Sequence, residues 1–333
     1  FACGEVIETI YNLAVRPYNL AAVAHFHEWM TGAGLLYLKK RVPEVGTVFT
    51  THATILGRSL AGAGVDIYGM MEHLAPQREA SAHNITAKYS MEAVTAREAD
   101  CFTTVSEITA AEAKNFLSRT PDVITPNALD MENIPDYALS RAPAERSREK
   151  LLAAAARFLR RELPRETRIL IISGRYEYHN KGIDIFLEAL GRLEKEGRGG
   201  PGVLALLFVL GGYTDLIPAL RDDTGRSETG KSPLVTHRLH NEGADPILQA
   251  CNRLGLTNQP GGKVQVIFNP AYLNGHDGLI NMSYYEALSG CDLGVFPSYY
   301  EPWGYTPLES VAYGVPTVTT DQAGFGLWCE RNC

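Results

Sequence analysis

The sequence has little of what marks membrane proteins and nucleic-acid-binding proteins. It contains no uninterrupted apolar run of about 18 residues, the length that a membrane-spanning helix needs. Its 31 Lys and Arg residues are outnumbered by 38 Asp and Glu residues, so the net charge is −7 and no general basic surface is expected. We therefore expect neither a membrane nor a nucleic acid among the partners of this protein.

The sequence also lacks the cysteine patterns of metal sites and disulfide frameworks. Its six cysteines are scattered, and none forms a Cys-x-x-Cys pair. This pattern is typical of a reducing compartment, so we expect a cytoplasmic protein with no metal ion. His25 and His27 are two residues apart, which can suggest metal ligands. In a loop at a strand end, however, we expect their side chains to point in opposite directions.

What the sequence does contain is a regular alternation of short apolar runs and helix-like stretches. In the first 130 residues the predicted strands are 21–26, 47–51, 101–105 and 122–125, separated by predicted helices 28–40, 55–63, 91–100 and 108–118. Further along, predicted strands are 168–173, 203–210, 264–268, 293–297 and 317–320, with helices 151–163, 183–196, 246–254, 284–289 and 306–313. Strands that alternate with helices of this length predict βαβ units and parallel sheets.

The alternation predicts two doubly wound, Rossmann-like α/β domains, 1–129 and 130–333, that face each other across a cleft. The first predicted element, a helix over 4–16, has no strand before it, so we expect the first strand and loop of that domain to be missing. The chain starts at Phe1 and stops at Cys333 just after a strand-and-loop pattern, which predicts a fragment lacking both termini. Residues 213–233 are polar and predict a long loop or insertion.

In open α/β sheets, ligands bind beyond the carboxyl ends of the strands. The stretch from Gly174 to Gly182 leaves a predicted strand there and places Arg175 and Lys181 on one loop. A guanidinium binds phosphate through two hydrogen bonds and an ammonium adds a point charge, so this pair suits a diphosphate leaving group. The alternative is two ordinary surface cations on a polar loop.

The stretch from Glu301 to Glu309 follows another predicted strand. Thr306, Pro307 and Glu309 match a helix capping box, in which Thr306 is the N-cap and Glu309 has only a structural role. The alternative uses the same helix start as an anion site, with backbone N–H groups around Gly304, Tyr305 and Thr306 and with Glu309 binding ribose hydroxyls. The two roles of Glu309 need different rotamers.

Other strand-end side chains are weaker candidates. His27 has the position to hydrogen-bond a sugar hydroxyl, while Trp29 is expected in the core. His52 and Arg58 bracket the next loop, where the alternative is a local hydrogen bond. Asn127 either faces a nucleotide or makes the turn between the domains.

These motifs together resemble the animal and fungal type of glycogen synthase, glycosyltransferase family three, which has the two-domain GT-B fold. The resemblance covers most of the chain and is weakest at 130–166 and 213–258. It is carried by His25-Phe26-His27-Glu28-Trp29, by Thr50 to Arg58, by Phe102-Thr103-Thr104-Val105-Ser106, by Gly174 to Gly182 and by Phe296 to Pro307.

The resemblance implies transfer of glucose, with retention, from UDP-glucose to the nonreducing end of an α-1,4-glucan such as glycogen. It implies an acceptor-side first domain, a donor-binding second domain, no cofactor or metal, and a homo-oligomer in the intact protein. The implied site has catalytic residues Glu301, Arg175, Lys181 and His27, and binding residues Glu309, Tyr305, Thr306, Gly304, Trp303, Asn127, Arg58 and His52.

Two alternatives remain at this point. Another retaining GT-B enzyme, either starch-synthase-like with ADP-glucose or sucrose-forming, differs in donor or acceptor. A noncatalytic glucan-binding relative predicts loss of the donor-site charges, whereas Arg175, Lys181, Glu301 and Glu309 are all present.

Overall fold

The computed structural model describes residues 1–134, 142–197, 199–217, 220 and 233–333, and it divides into two compact units. Unit 1 comprises Phe1–Ala128, Tyr300–Gly304 and Asp321–Cys333. Unit 2 comprises Leu129–Tyr299 and Tyr305–Thr320. The chain therefore returns to unit 1 twice near its end, in segments that the sequence pattern assigned to the second domain.

Unit 1 is built on a four-stranded parallel sheet with strand order β1-β2-β3-β4. Its strands are β1 Val23–His27, β2 Gly46–Thr51, β3 Cys101–Thr104 and β4 Val123–Ile124. Its helices are α1 Ala2–Ile10, α2 Glu28–Arg41, α3 Ile55–Gly62, α4 Ile67–Met70, α5 Pro76–Ala82, α6 Thr86–Glu98 and α7 Glu107–Phe116. Its core centres on Phe49 and Phe102, whose rings stack 5.9 Å apart across neighbouring strands.

Unit 2 is built on a five-stranded parallel sheet. Its strands are β5 Arg168–Arg175, β6 Val203–Leu210, β9 Val264–Asn269, β10 Leu293–Phe296 and β11 Thr317–Thr319. Between β6 and β9 in the sequence, β7 Tyr213–Leu216 and β8 His237–Leu239 form a separate antiparallel pair. Its main helices are α8 Ala142–Leu159, α9 Ile183–Glu196, α10 Pro246–Leu254, α11 Tyr284–Ser289 and α12 Tyr305–Ala312. Helix α13, Gly324–Asn332, belongs to unit 1.

Both faces of the unit 2 sheet are covered, because alternate residues of each central strand enter different cores. Ile169 and Ile171 of β5 pack into one core with α8 and α11, while Ile172 packs into another with α9 and α10. Successive side chains of a strand point to opposite faces, so a strand buried on both faces is apolar throughout. This arrangement confirms the predicted parallel α/β fold.

Local signals explain why several helices begin and end as predicted. Asp245 caps α10 by accepting a hydrogen bond from Leu248 N at 2.9 Å, and Pro246 occupies the first helical turn. Gly255 ends the helix in the left-handed region, with φ of 77°. Several predictions were wrong: 213–216 is a strand rather than loop, the helix predicted over 151–163 spans Ala142–Leu159, and the helix predicted over 91–100 spans Thr86–Glu98. The helix predicted over 4–16 is α-helical only over Ala2–Ile10. Most of the remaining predicted insertion, 218–219 and 221–232, lies outside the described residues.

Among the described helices, none is both long and apolar enough to cross a membrane.

Candidate functional site

The strand order of unit 2 reverses between β5 and β10. From β5 the chain moves outward through β6 to β9, and then returns to the other side of β5 with β10 and β11. Ligands of open α/β sheets bind in the crevice at such a reversal, outside the carboxyl ends of the strands. Arg175 is the last residue of β5, so the predicted cation loop leaves the sheet at this point.

The loop from β5 to α9 is held against the end of β10 by a close backbone approach. Gly182 has φ of 65°, and a Cβ atom there would lie 2.0 Å from the carbonyl oxygen of Pro297. Tyr299 N also donates to the carbonyl oxygen of Asn180 at 3.0 Å. Only glycine allows this contact, so Gly182 brings the loop carrying Arg175 and Lys181 beside the end of β10.

The two cations of this loop have defined surroundings. The Arg175 guanidinium forms an ion pair with Glu177 at 2.9 Å, and 59% of the Arg175 side chain is exposed. The aliphatic part of Lys181 lies along Gly174, since a Cβ there would be 3.9 Å from Cδ and Cε of Lys181. An incoming phosphate would therefore compete with Glu177 for Arg175.

Glu309 on α12 does not form the predicted capping box. Helix α12 begins at Tyr305, so Thr306 lies inside the first turn instead of capping it. Glu309 instead accepts a hydrogen bond from the Tyr285 hydroxyl at 3.0 Å, and burial raises its pKa. Gly304, immediately before the helix, has φ of 107°, a backbone conformation that favours glycine.

The partner of Glu309 is a tyrosine of α11, and the sequence patterns did not single out either tyrosine of that helix. Tyr285 stacks on Tyr313 with ring centroids 4.9 Å apart, and its neighbour Tyr284 shares a hydrogen bond of 2.9 Å with Ser173 of β5. Burial, reinforced by the bond to Glu309, raises the pKa of Tyr285 to about 12. Tyr284 and Tyr285 thus connect β5 to the Glu309 carboxyl within unit 2.

In unit 1 three histidines lie together where β1 and β2 end. The expectation that His25 and His27 point in opposite directions was wrong, because both belong to β1 and residues two apart in a strand share a face. Their ring centroids are 4.1 Å apart, and His27 Nδ1 is 2.9 Å from His52 Nε2. Burial lowers the pKa of His52, which favours the neutral form of its ring.

Glu28 fixes His52 from the other side. The His52 backbone N–H donates to Glu28 Oε1 at 3.0 Å. Glu28 has φ of 63°, which is rare for a residue with a side chain. Strained backbone of this kind clusters at functional sites. No group of three or more His, Cys, Asp or Glu side chains within the described ranges is arranged to hold a metal ion.

Glu301 lies in the segment Tyr300–Gly304, which is held inside unit 1. Its carbonyl oxygen accepts from Gly324 N at 2.9 Å, and its N–H donates to the carbonyl of Gln322 at 3.3 Å. Trp303 is buried against Phe325, with ring centroids 6.0 Å apart. These bonds fix the backbone that carries the Glu301 carboxyl.

The other two predicted residues of unit 1 lie on a helix and in a loop after a strand. Arg58 is exposed on α3, and Asn127 follows β4 at the end of the first stretch of the unit. Thus the structure brings together His27 and His52, and it places Tyr305, Thr306 and Glu309 on one helix. Arg175 and Lys181 share one loop, in which the Lys181 stem lies along Gly174, the residue before Arg175.

Two buried glutamates are the largest features of unit 1 that the sequence patterns missed. Glu92 of α6 and Glu112 of α7 are fully buried, and burial raises the pKa of Glu92 to about 8 and that of Glu112 to about 7. A signal was present, because Glu112 stands on the apolar stripe of α7 between Ile108 and Phe116. A carboxyl on such a stripe is unusual unless it has buried partners.

Comparison with known proteins decides the family. A sequence profile of the glycogen synthase family matches residues 5–208 and 224–333. The chain belongs to the glycogen synthase family. Within this family, liver glycogen (starch) synthase of Homo sapiens is 35% identical over 370 residues, which cover 93% of this chain and 52% of that protein. Isoform 2 of Saccharomyces cerevisiae is 34% identical over 381 residues, covering 93% of this chain and 54% of that protein.

The chain thus spans about half the length of the curated family members it matches. Among solved structures, sucrose-phosphate synthase from Thermosynechococcus elongatus aligns with a TM-score of 0.54 at 19% identity, covering 97% of this chain and 61% of that chain. The catalytic domain of starch synthase IV from Arabidopsis thaliana aligns with a TM-score of 0.51 at 15% identity, covering 96% and 60%. At these identities the likeness shows the fold alone, which is the GT-B fold of two Rossmann-like domains.

Proposed function

We propose that the protein containing this chain is a glycogen synthase that transfers glucose from UDP-glucose to the nonreducing end of an α-1,4-glucan with retention of configuration. Family membership supports the reaction class. The observation that carries the proposal is the loop at the strand reversal of unit 2, where Arg175 and Lys181 leave β5 together. A diphosphate is the group that such a pair of cations suits.

In this proposal the residues of unit 2 bind the donor. Arg175 exchanges Glu177 for a phosphate oxygen, and Lys181 adds a second positive charge as the sugar–phosphate bond breaks. The first turn of α12, at Tyr305 and Thr306, presents backbone N–H groups to the diphosphate. Glu309, already acting as an acceptor for Tyr285, accepts hydrogen bonds from ribose hydroxyls.

The residues of unit 1 act on the sugar. The bond from the anomeric carbon to UDP breaks, and the acceptor hydroxyl forms a new bond on the same face of the ring. A leaving phosphate oxygen takes the hydroxyl proton, so a front-face mechanism needs no second nucleophile. Glu301 stabilises the positive charge that develops on the glucose, and His27, oriented by His52, hydrogen-bonds a glucose hydroxyl.

The remaining assignments are proposed on the same basis. Arg58, Asn127, Trp303 and Gly304 line or shape the substrate sites. We propose that the reaction uses no metal or cofactor, that the intact protein is a cytoplasmic homo-oligomer, and that glycogen is the acceptor. The acceptor has no charge, so the acidic net charge of −7 does not oppose it.

Donor competition tests the function directly. The full-length protein is incubated with glycogen and with UDP-glucose or ADP-glucose, and kcat/KM is measured for each donor. We expect UDP-glucose to be preferred. An ADP-glucose preference of about tenfold, equivalent to about 1.4 kcal/mol, would favour a starch-synthase-like enzyme. Glycogen binding without turnover of either donor would favour a noncatalytic relative.

A further inference from the structure

The buried carboxyl of Glu112 connects three parts of unit 1 that are distant in sequence. Its Oε2 accepts from the Thr54 hydroxyl at 2.5 Å and from the Tyr300 hydroxyl at 3.4 Å. Its Oε1 accepts from the Tyr68 hydroxyl at 3.2 Å. The group therefore lies between the loop after β2, the start of α4 and the segment that carries Glu301.

On one side, Glu112 binds the residue that caps α3. Thr54 caps this helix by accepting from Gly57 N at 3.0 Å, while its own hydroxyl donates to Glu112. Gly57 leaves the space that the carboxyl occupies, since a Cβ there would be 2.1 Å from Glu112 Oε2. Arg58 is the next residue, so its backbone position depends on this contact.

On the other side, Glu112 holds the residue before Glu301. Tyr300 is 5% exposed, and its ring stacks on Tyr68 with centroids 6.4 Å apart and planes 15° apart. The opposite edge of the segment is bound to the start of α13 through Gly324. The backbone of Glu301 is thus fixed from both sides, and Glu112 supplies one of them.

Packing stability alone does not explain why a carboxyl, rather than an apolar side chain, occupies position 112. A buried charge is costly, and a buried polar network replaced by apolar groups of similar shape is often as stable or more stable. A carboxyl that accepts from three hydroxyls fixes the direction in which these hydroxyls point, and an apolar side chain does not. Here the donors are joined to Arg58 and Glu301.

We propose that Glu112 is a positioning residue for the transfer reaction, which holds Glu301 through Tyr300 and the start of α3 through Thr54. This inference rests on the proposed function, because it gives Glu301 and Arg58 a substrate to act on. Glu112 itself does not touch the reacting atoms. It is a residue of unit 1 that acts through hydrogen bonds to its neighbours.

Three variants of the full-length protein disturb this network in different ways. Glu112→Gln keeps the shape, but its amide accepts at one end only, so the donors on one of the two oxygens lose their acceptor. Tyr300→Phe removes one hydroxyl. Gly57→Ala removes no polar group, but its Cβ would lie 2.1 Å from Glu112 Oε2 and 2.6 Å from Thr54 Oγ1, so it displaces both the carboxyl and the hydroxyl that donates to it. The matched controls are Tyr89→Phe, whose buried hydroxyl donates to Phe116 O, and Gly62→Ala on α3, where a Cβ meets nothing within 4 Å.

We expect each of the three variants to lower kcat by about 10-fold or more while KM for the donor stays within about twofold, since misplaced catalytic groups lower turnover more than binding. The controls should retain both constants. Amide hydrogen exchange should become faster at 300–304 in all three variants and stay unchanged in the controls. Circular dichroism verifies folding, and if Gly57→Ala does not fold, the two isosteric variants decide.

The inference is overturned if the folded Glu112→Gln and Tyr300→Phe variants keep kcat within about twofold of the parent and their amide hydrogen-exchange rates at 300–304 equal those of the parent. Loss that appears only in KM also contradicts it. Failure of the proposed function is a separate result, because it appears as absence of turnover in the parent protein. In that case the exchange measurement still decides whether Glu112 holds this segment.

Discussion

The two units place their ionisable groups differently around similar parallel sheets. In unit 2 the sheet lies between two apolar cores, and the cations Arg175 and Lys181 stand on the loop beyond it. Unit 1 also has exposed histidines at its strand ends, but in addition it buries two carboxyl groups, Glu92 and Glu112, on its helices. The donor loop of unit 2 can therefore be predicted from charged residues at a strand end. The positions of the candidate site residues in unit 1 depend instead on carboxyl groups that are buried on its helices.

The largest effect should come from removing the donor-loop arginine. We expect Arg175→Ala to lower turnover by about 100-fold or more, because the charge that develops on the leaving diphosphate loses a preorganised partner. Steady-state kinetics with UDP-glucose and glycogen measure this loss in the full-length protein. Thermal unfolding should be little changed, since the arginine pairs only with Glu177 at a half-exposed position among the described contacts.

Arg192→Ala is the matched control for this experiment, because Arg192 is an exposed cation on α9 of the same unit. It should leave turnover unchanged. Activity of Arg175→Ala within twofold of the parent would show that the loop is an ordinary polar surface, which is the simpler interpretation of its sequence.

The buried acids of unit 1 predict a second, intermediate effect on stability. The folded-state pKa of Glu92 is raised by burial from 4.5 to about 8, so its neutral form favours folding. This contribution is complete below pH 4.5 and is lost as the pH rises toward 8, by up to about 1.4 kcal/mol per pH unit for one group. Glu92→Gln should therefore destabilise the protein less at pH 8 than at pH 5.5, relative to the parent, or even stabilise it.

Chemical denaturation at the two pH values measures this difference. Glu98→Gln, on the exposed face of the same helix, serves as the control and should show no comparable pH dependence. Equal effects of Glu92→Gln at both pH values would mean that Glu92 is ionised throughout, and the contrast between the units would weaken.

The smallest effect distinguishes two threonines near helix starts, one in each unit. Thr54 caps α3 and also donates to Glu112, so Thr54→Ala should cost about 1–2 kcal/mol of unfolding free energy. Thr306 lies inside the first turn of α12 with no side-chain hydrogen bond among the described residues, so Thr306→Ala should cost less than about 0.5 kcal/mol. If Thr306→Ala lowered the unfolding free energy by about 1 kcal/mol, Thr306 would act as a helix cap after all.

Elements bounded by local signals were predictable from the sequence. Strand Val203–Leu210 and helices Ile183–Glu196 and Pro246–Leu254 have the bounds that their patterns indicate. The first is an isolated apolar run, and the last has Asp245 before it and Gly255 after it. The capping box predicted at Thr306 was wrong because the helix already begins at Tyr305, one residue earlier than the pattern indicates.

By itself the sequence determined the parallel α/β class, the strand-end location of Arg175, Lys181 and His27, and the family resemblance, because each depends on neighbours along the chain. Only the tertiary structure decided that His27 meets His52, that Glu309 faces Tyr285, and that Glu112 accepts from Thr54 and Tyr300. Glu112 and Tyr300 are 188 positions apart in sequence. Patterns of neighbouring residues cannot reveal a contact across such a sequence separation. Only the folding of unit 1 brings the Tyr300 hydroxyl to the Glu112 carboxyl.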